Sequence, residues 1–178
     1  LTKCLLVTDR DVDLADFKAT LTHVLPRTRA ESDLYVFGNL SMDTLDYTGP
    51  EVNRGSKGVW LGLGDPVRDL PGEFRPQVAP PPDVEEVRVF CRGCLVVGAR
   101  RYADDPEAAS RLAAHPFFAG WPLLVLTDEP GRAAKSAVNF LWTTFTRFEP
   151  ARDIHAARVD LVRHHVSYTP PVAIDARL

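Results

Sequence analysis

The sequence has no strong excess of either charge: 21 Lys and Arg against 24 Asp and Glu leave a formal charge of -3. That balance lacks the basic footprint of a nucleic-acid or anionic-membrane binder, so a small molecule or a protein is the expected partner. No apolar run approaches the roughly 18 residues of a membrane span, and no charged and apolar leader opens the chain. A cytoplasmic protein without a membrane span is expected. Cysteine is scarce, and three cysteines cannot form a closed set of disulfides. Cys91 and Cys94 form a CxxC, but no second CxxC or matching His pair stands nearby to complete a zinc site. Cys94 leads into LVVGA, which reads as a strand, whereas a thioredoxin-type dithiol opens a helix. Two buried or edge thiols are the favoured reading, with a redox pair and a metal site as alternatives.

What the chain does have is apolar content, 45% of 178 residues. That is enough for one domain hiding roughly 70% of its unfolded surface. It starts at Leu1 with a strand almost at once and stops at AIDARL as an apolar strand ends, so it is expected to be part of something longer.

CLLVT, Cys4 to Thr8, is a continuous apolar run suited to a parallel strand covered on both faces. Asp13 is placed to cap a helix on which Leu14, Phe17, Leu21, Val24 and Leu25 recur at helical spacing until Pro26. The acidic turn Asp9, Arg10, Asp11 and Asp13 is not an EF-hand loop, which needs Gly where Leu14 stands and Glu where Thr20 stands; charge at a helix start is the better reading. Further strands are expected at Leu34 to Phe37, Val59 to Leu63, Val87 to Phe90, Leu95 to Val97, Leu123 to Leu126, Asp153 to Ala157 and Val172 to Ile174. Residues 65–86 are proline-rich and read as an extended surface connection. Pro106 to His115 is a short helix, and the longest helix begins near Gly131, with Ala134, Val138, Leu141, Phe145 and Phe148 along one face and Trp142 flanking it. Val159 to Val166 is ambiguous between helix and strand. The succession predicts an α/β fold, a mostly parallel or mixed sheet flanked by helices in a Rossmann-like layered domain. LLVTD at Leu5 to Asp9 is echoed by LVLTD at Leu124 to Asp128, and each is followed by a second aspartate, Asp33 and Asp153, after 24 and 25 residues. An internal duplication would leave that pattern.

One stretch pairs glycine freedom with a cation: Asn53 to Gly64, NRGSKGVWLGLG. Gly55 and Gly58 bracket Ser56 and Lys57, a candidate phosphate cradle in which backbone N-H groups approach an anion and the lysine adds charge. It is not a P-loop, because the glycine spacing is wrong and Lys57 is followed by glycine. The alternative is a turn with a solvated lysine. Tyr47 and Trp60, on either side, are candidates for an aromatic pocket or for the core. Arg147, Glu149, Arg152 and Asp153 invite an acid-base reading, but a network at a helix end is favoured. His155, His164 and His165 lack the HxxxH or HxH spacing of metal ligands and read as structural or exposed.

Together LLVTDRDVDLADF, SDLYVF, DTLDYTG, GSKG, NFLWTTFTRFEPARDIHAA and VAIDAR resemble the carboxy-terminal domain of the UbiD-like carboxy-lyases, strongly over about residues 1–64 and 121–178. The resemblance implies reversible non-oxidative (de)carboxylation of an aromatic or unsaturated acid, as in polyprenyl-hydroxybenzoate decarboxylases of quinone biosynthesis or in aromatic catabolism. It implies prenylated FMN with manganese and potassium, held with the catalytic Arg and Glu residues and the metal ligands on a preceding flavin-binding domain. No catalytic or metal-ligating residue is therefore expected here, and this chain alone should neither catalyse nor hold the cofactor. Gly55, Ser56 and Lys57 match the family's GxK stretch, with Lys57 the candidate for the flavin phosphate or for a salt bridge at the domain junction. Cleft closure and homo-oligomer assembly are the implied roles; the alternative is a non-catalytic interaction module.

Overall fold

The computed structural model describes residues 2–178. The first apolar run forms β1 (Cys4–Thr8), followed by α1 (Phe17–Val24), the single turn α2 (Ala30–Asp33), β2 (Leu34–Ser41) and β3 (Arg54–Gly62). A hairpin of β4 (Val84–Cys91) and β5 (Cys94–Ala99) leads through α3 (Ala108–Ala113) to β6 (Leu123–Thr127). The last third comprises α4 (Pro130–Ala133), α5 (Ala137–Phe145), α6 (Pro150–Asp153), β7 (Ile154–Val162) and β8 (His165–Asp175). The α/β class holds, but these strands form two mixed sheets, ordered β1-β3-β2 and β4-β5-β6-β8-β7.

The two sheets share a connectivity. β1 pairs parallel with β3, and β2 returns antiparallel to β3; likewise β6 pairs parallel with β8, and β7 returns antiparallel to β8. The aspartates ending the two LxxTD runs do the same work, Asp9 accepting from the Gly64 N-H at 3.0 Å and Asp128 from the Leu178 N-H at 3.0 Å. Asp33 and Asp153 each close a one-turn helix by accepting from the N-H of its N-cap residue, Arg29 at 2.8 Å and Glu149 at 2.6 Å.

Strands β5 and β6 are buried along their whole length, as continuous apolar strands at the centre of a covered sheet should be. One core cluster joins Leu34 and Trp60 of the smaller sheet to Val96, Val125 and Val172 of the larger, with Phe140 and Phe148 between. Phe17 reaches into it beside Phe90 and Phe140, whose stacked rings are 3.9 Å apart. The opposite face of the larger sheet is covered by α3 and by Phe117, Phe118 and Trp121.

Two expectations are corrected and one ambiguity is resolved. The first helix starts at Phe17, because Asp16 and not Asp13 accepts from the third helical N-H, that of Ala19; Asp13 instead closes a turn onto the Ala15 N-H, leaving Leu14 77% exposed. The helix from Gly131 is broken: the Ser136 hydroxyl accepts from the Asn139 N-H and starts α5 afresh, so its buried residues are Phe140, Thr143 and Thr144, while Val138 and Trp142 face outward. Residues 159–166 are strand, with Arg163 and His164 at φ 50° and 66° making the two-residue turn between β7 and β8. The proline-rich connection contains neither helix nor strand between β3 and β4, and is pinned by buried Leu70 and by Phe74 against Phe117 and Trp121.

Candidate functional site

The glycine-lysine stretch is not a loop. Gly55, Ser56 and Lys57 lie inside β3, the central strand of its sheet, where Phe37 and Lys57 are register partners across to β2. A Cβ on Gly55 would meet Met42 Cγ at 2.8 Å, so this glycine serves packing. Ser56 is 1% exposed, and its hydroxyl accepts from the Ala151 N-H at 2.7 Å, satisfying a free amide in the first turn of α6. Strand pairing with β1 and β2 thus takes up this stretch, which the sequence reading placed in a loop. Lys57 is half-buried, on the face of the sheet that carries Tyr35, Phe37 and Val59.

A cleft of about 680 Å³ lies elsewhere, over the other face of β1. Cys4, Leu6, Phe17 and Phe145 form its base. Its rim is Leu45, Tyr47 and Trp142, which are 76%, 83% and 69% exposed. Lys3 fixes one wall: its ammonium donates to Asp46 at 3.0 Å, to Thr48 Oγ1 at 2.8 Å and to the Phe145 carbonyl at 3.2 Å, tying the loop after β2 to the end of α5. Burial would raise the Asp46 carboxyl, but hydrogen bonds from Thr48 and Lys3 outweigh it and hold Asp46 below the usual carboxylate range. Of the two aromatics picked from the sequence, Tyr47 lines the cleft, whereas Trp60 is core.

Tyr47 and Thr146 are shared with a second hollow of about 420 Å³, lined by Arg147, Arg152 and Arg177. Each arginine meets a carboxylate: Arg147 with Asp128 at 3.1 Å, Arg152 with Asp153 at 2.7 Å, and Arg177 with Asp175 at 2.6 Å. Glu149 caps α6 by accepting from the Arg152 N-H at 2.9 Å. The RFEPARD carboxylates and arginines thus form a network around a helix end. The two hollows meet at Tyr47 and Thr146 in a groove that is apolar and aromatic at one end and lined at the other by arginines paired with carboxylates.

The family model for the 3-octaprenyl-4-hydroxybenzoate carboxy-lyase C-terminal domain matches residues 1–62. A protein of Chlamydia pneumoniae, named as one of the subunits of 4-hydroxybenzoate decarboxylase, is 40% identical over 176 residues, covering 99% of this chain. The chain belongs to the UbiD-like carboxy-lyase family. An uncharacterized protein of Chlamydia trachomatis is 42% identical over 177 residues. This UbiD-like chain spans 30% and 29% of the lengths of the trachomatis and pneumoniae relatives. No solved structure matches it.

Among the described residues of this UbiD-like domain, no group of three or more His, Cys, Asp or Glu is arranged to hold a metal ion. The histidines are dispersed: His155 Nδ1 is 2.8 Å from Ser110 Oγ, His164 sits in the β7-β8 turn, and the ring of His165 packs edge-on against Tyr35 at 4.8 Å. Burial depresses the pKa of His155 below its ordinary value. Among the described residues no helix is long and apolar enough to cross a membrane. The sequence reading missed Lys3, Leu45 and Arg177 as groove residues, and it took Trp142 for core. The signal available was LDY, Leu45 to Tyr47, two large apolar residues in an otherwise polar stretch.

Proposed function

We propose that this chain is the part of a UbiD-like non-oxidative (de)carboxylase that closes the cleft over an aromatic or unsaturated carboxylic acid. The reacting groups lie on a preceding flavin-binding domain. There, prenylated FMN with manganese and potassium would supply the electron-accepting chemistry as carbon dioxide leaves. The Ser56 hydroxyl is engaged by the Ala151 N-H, and the part we assign to this chain is to shape the site and exclude water. The observation that carries the reading is the groove, whose exposed Leu45, Tyr47 and Trp142 adjoin Arg147 and Arg152, both partly exposed beside their carboxylate partners. An apolar ring with a carboxylate at one end has that distribution of character.

The test uses the full-length protein. Tyr47→Ser and Trp142→Ser remove exposed side chains and are expected to change stability by no more than about 0.5 kcal/mol. Each is expected to lower kcat/KM for an aromatic acid. Unchanged kcat/KM in both variants overturns the reading.

A second reading, an interaction module that assembles the oligomer without touching the cofactor, draws on the outer face of the smaller sheet. Leu5, Val7, Tyr35, Phe37, Val59 and Leu61 share that face with Lys57, and half of Leu5 and Phe37 is exposed. Sedimentation and turnover of Phe37→Glu in the full-length protein separate the two: a shift in sedimentation with kcat/KM retained supports assembly through this face, and an unchanged sedimentation overturns it. Lys57→Ala tests a cofactor phosphate on the same face, which both readings exclude, so flavin lost from that variant overturns both.

A further inference from the structure

The CxxC is a hairpin. Cys91 ends β4, Cys94 begins β5, and the two are register partners across a two-residue turn of Arg92 and Gly93. Residues directly opposite in an antiparallel pair have Cα atoms about 4.5–5.5 Å apart, with side chains on one face of the sheet. That separation lies within the roughly 4.4–6.8 Å a disulfide spans.

The turn is held firmly. Gly93 is at φ 79°, with Leu70 Cδ1 too close to admit a Cβ. Its N-H donates to the Pro71 carbonyl at 3.1 Å, its carbonyl accepts from the Leu123 N-H at 3.2 Å, and Arg92 Nε donates to the Leu70 carbonyl at 3.1 Å. The two cysteines therefore stand opposite each other on a rigid frame, their thiols donating to the Arg92 carbonyl at 3.7 Å and the Leu95 carbonyl at 4.0 Å, and a disulfide between them needs no loop movement.

Their surroundings differ. Cys94 is buried, and burial pushes its thiol well above the ordinary value. Cys91 is partly exposed, and the neighbouring Cys94 thiol lowers its pKa below the ordinary value, against the cost of burial, with help from the Thr22 hydroxyl and the Lys18 ammonium. Lys18 is held there, its Nζ 4.8 Å from the centre of the Phe90 ring. An accessible, activated thiol backed by a buried one is the arrangement in which the first attacks and the second resolves.

We propose that Cys91 and Cys94 form a thiol-disulfide exchange site for small disulfides of the glutathione class. The Cys91 thiolate attacks one sulfur of glutathione disulfide, forming a mixed disulfide and releasing one glutathione thiolate. The Cys94 thiolate then attacks the Cys91 sulfur, forming the Cys91–Cys94 bond and releasing the second glutathione. The two cysteine thiols are oxidised, the glutathione disulfide is reduced to two thiols, and the protons lost by the cysteines end on the glutathiones. Cys4 is an internal control, since burial pushes its thiol up to about 12.

The experiment incubates the native chain with glutathione disulfide, quenches by alkylation and maps the peptides by mass spectrometry. Wild type is expected to lose two hydrogens within the peptide spanning Cys91 and Cys94, with Cys4 still alkylated. Cys94→Ser is expected to stop at one glutathione adduct on Cys91, and Cys91→Ser to lose the reaction. Three free thiols in wild type after full exposure overturn the proposal, as does an adduct on Cys4 in preference to Cys91 or a disulfide between chains in place of the internal one. The wild-type result needs no variant to fold.

Discussion

Ser56→Ala tests whether the glycine-lysine stretch is structure or site. In the folded chain the Ser56 hydroxyl accepts from the Ala151 N-H at 2.7 Å, and Ser56 itself is 1% exposed. The alanine variant keeps the β3 backbone and removes only that acceptor. Ala151 lies in the first turn of α6, where no carbonyl within the helix can accept its N-H. Leaving a buried donor unpaired costs about 1–3 kcal/mol. Because Ala151 is exposed, water can recover part of the loss, which puts the expected cost at about 1–2 kcal/mol. For a chain of this size each kcal/mol moves Tm by about 2–4 °C, giving a fall of about 2–8 °C. Urea unfolding should show a lower midpoint with an unchanged slope, since the surface exposed on unfolding does not change. The same substitution in the full-length protein should leave flavin content unchanged once measured well below its Tm. A variant as stable as wild type that nevertheless loses flavin would refute the reasoning and restore Ser56 to a cofactor site.

Two further perturbations test how the groove is built. Asp175 and Arg177 have side chains 1% and 0% exposed, so Asp175→Asn should destabilise by about 3–5 kcal/mol by stranding a buried cation; Asp175→Asn with Arg177→Met should recover much of that in urea unfolding, and a double variant no better than the single one overturns the account. His155 carries a pKa lowered by burial from 6.5, so the unfolded chain binds its proton first as pH falls; its contribution to stability is complete above about 6.5 and is lost as pH drops through the folded value. Proton NMR of the His155 ring should give a midpoint below 6.5, and a midpoint at or above it refutes the burial argument.

The strands were legible because β5 and β6 are covered on both faces and so read as unbroken apolar runs. The helices were legible in place but not in phase. Asp13 and Asp16 are both able to cap, and only the fold decides that Asp16 meets the third N-H. Ser136 sits inside a sequence that scans as one amphipathic helix, and its capping rotates the buried face from Val138 to Phe140. Glycines at Gly55 and Gly58 scan as a loop, yet both lie in β3, where Gly55 leaves room for Met42. The groove was the least legible feature. Lys3, Tyr47 and Arg147 are far apart in sequence, and the Lys3 ammonium is what closes the loop after β2 onto α5.

The smaller sheet presents a different face to each of the two proposed readings. A parallel pair such as β1 and β3 is normally buried on both faces. Here the inner face of β1 packs on the core at Leu6 and opens into the groove past Cys4 and Phe17, while the outer face shows Leu5, Tyr35 and Phe37 to solvent. The groove is concave and ends in arginines, which fits a small acid seated under another domain. The outer face is flat and broad, with Lys57 its cationic group, which fits a protein surface more than a ligand. The three-stranded sheet thus has a cleft on one side and a partly exposed apolar face on the other, and a substitution confined to one side should leave the other's property intact. Trp142→Ser is expected to lower turnover without changing the sedimentation of the full-length protein, whereas Phe37→Glu is expected to shift sedimentation with kcat/KM retained. If each substitution changes both properties alike, the sheet does not separate the two surfaces and this account of it fails.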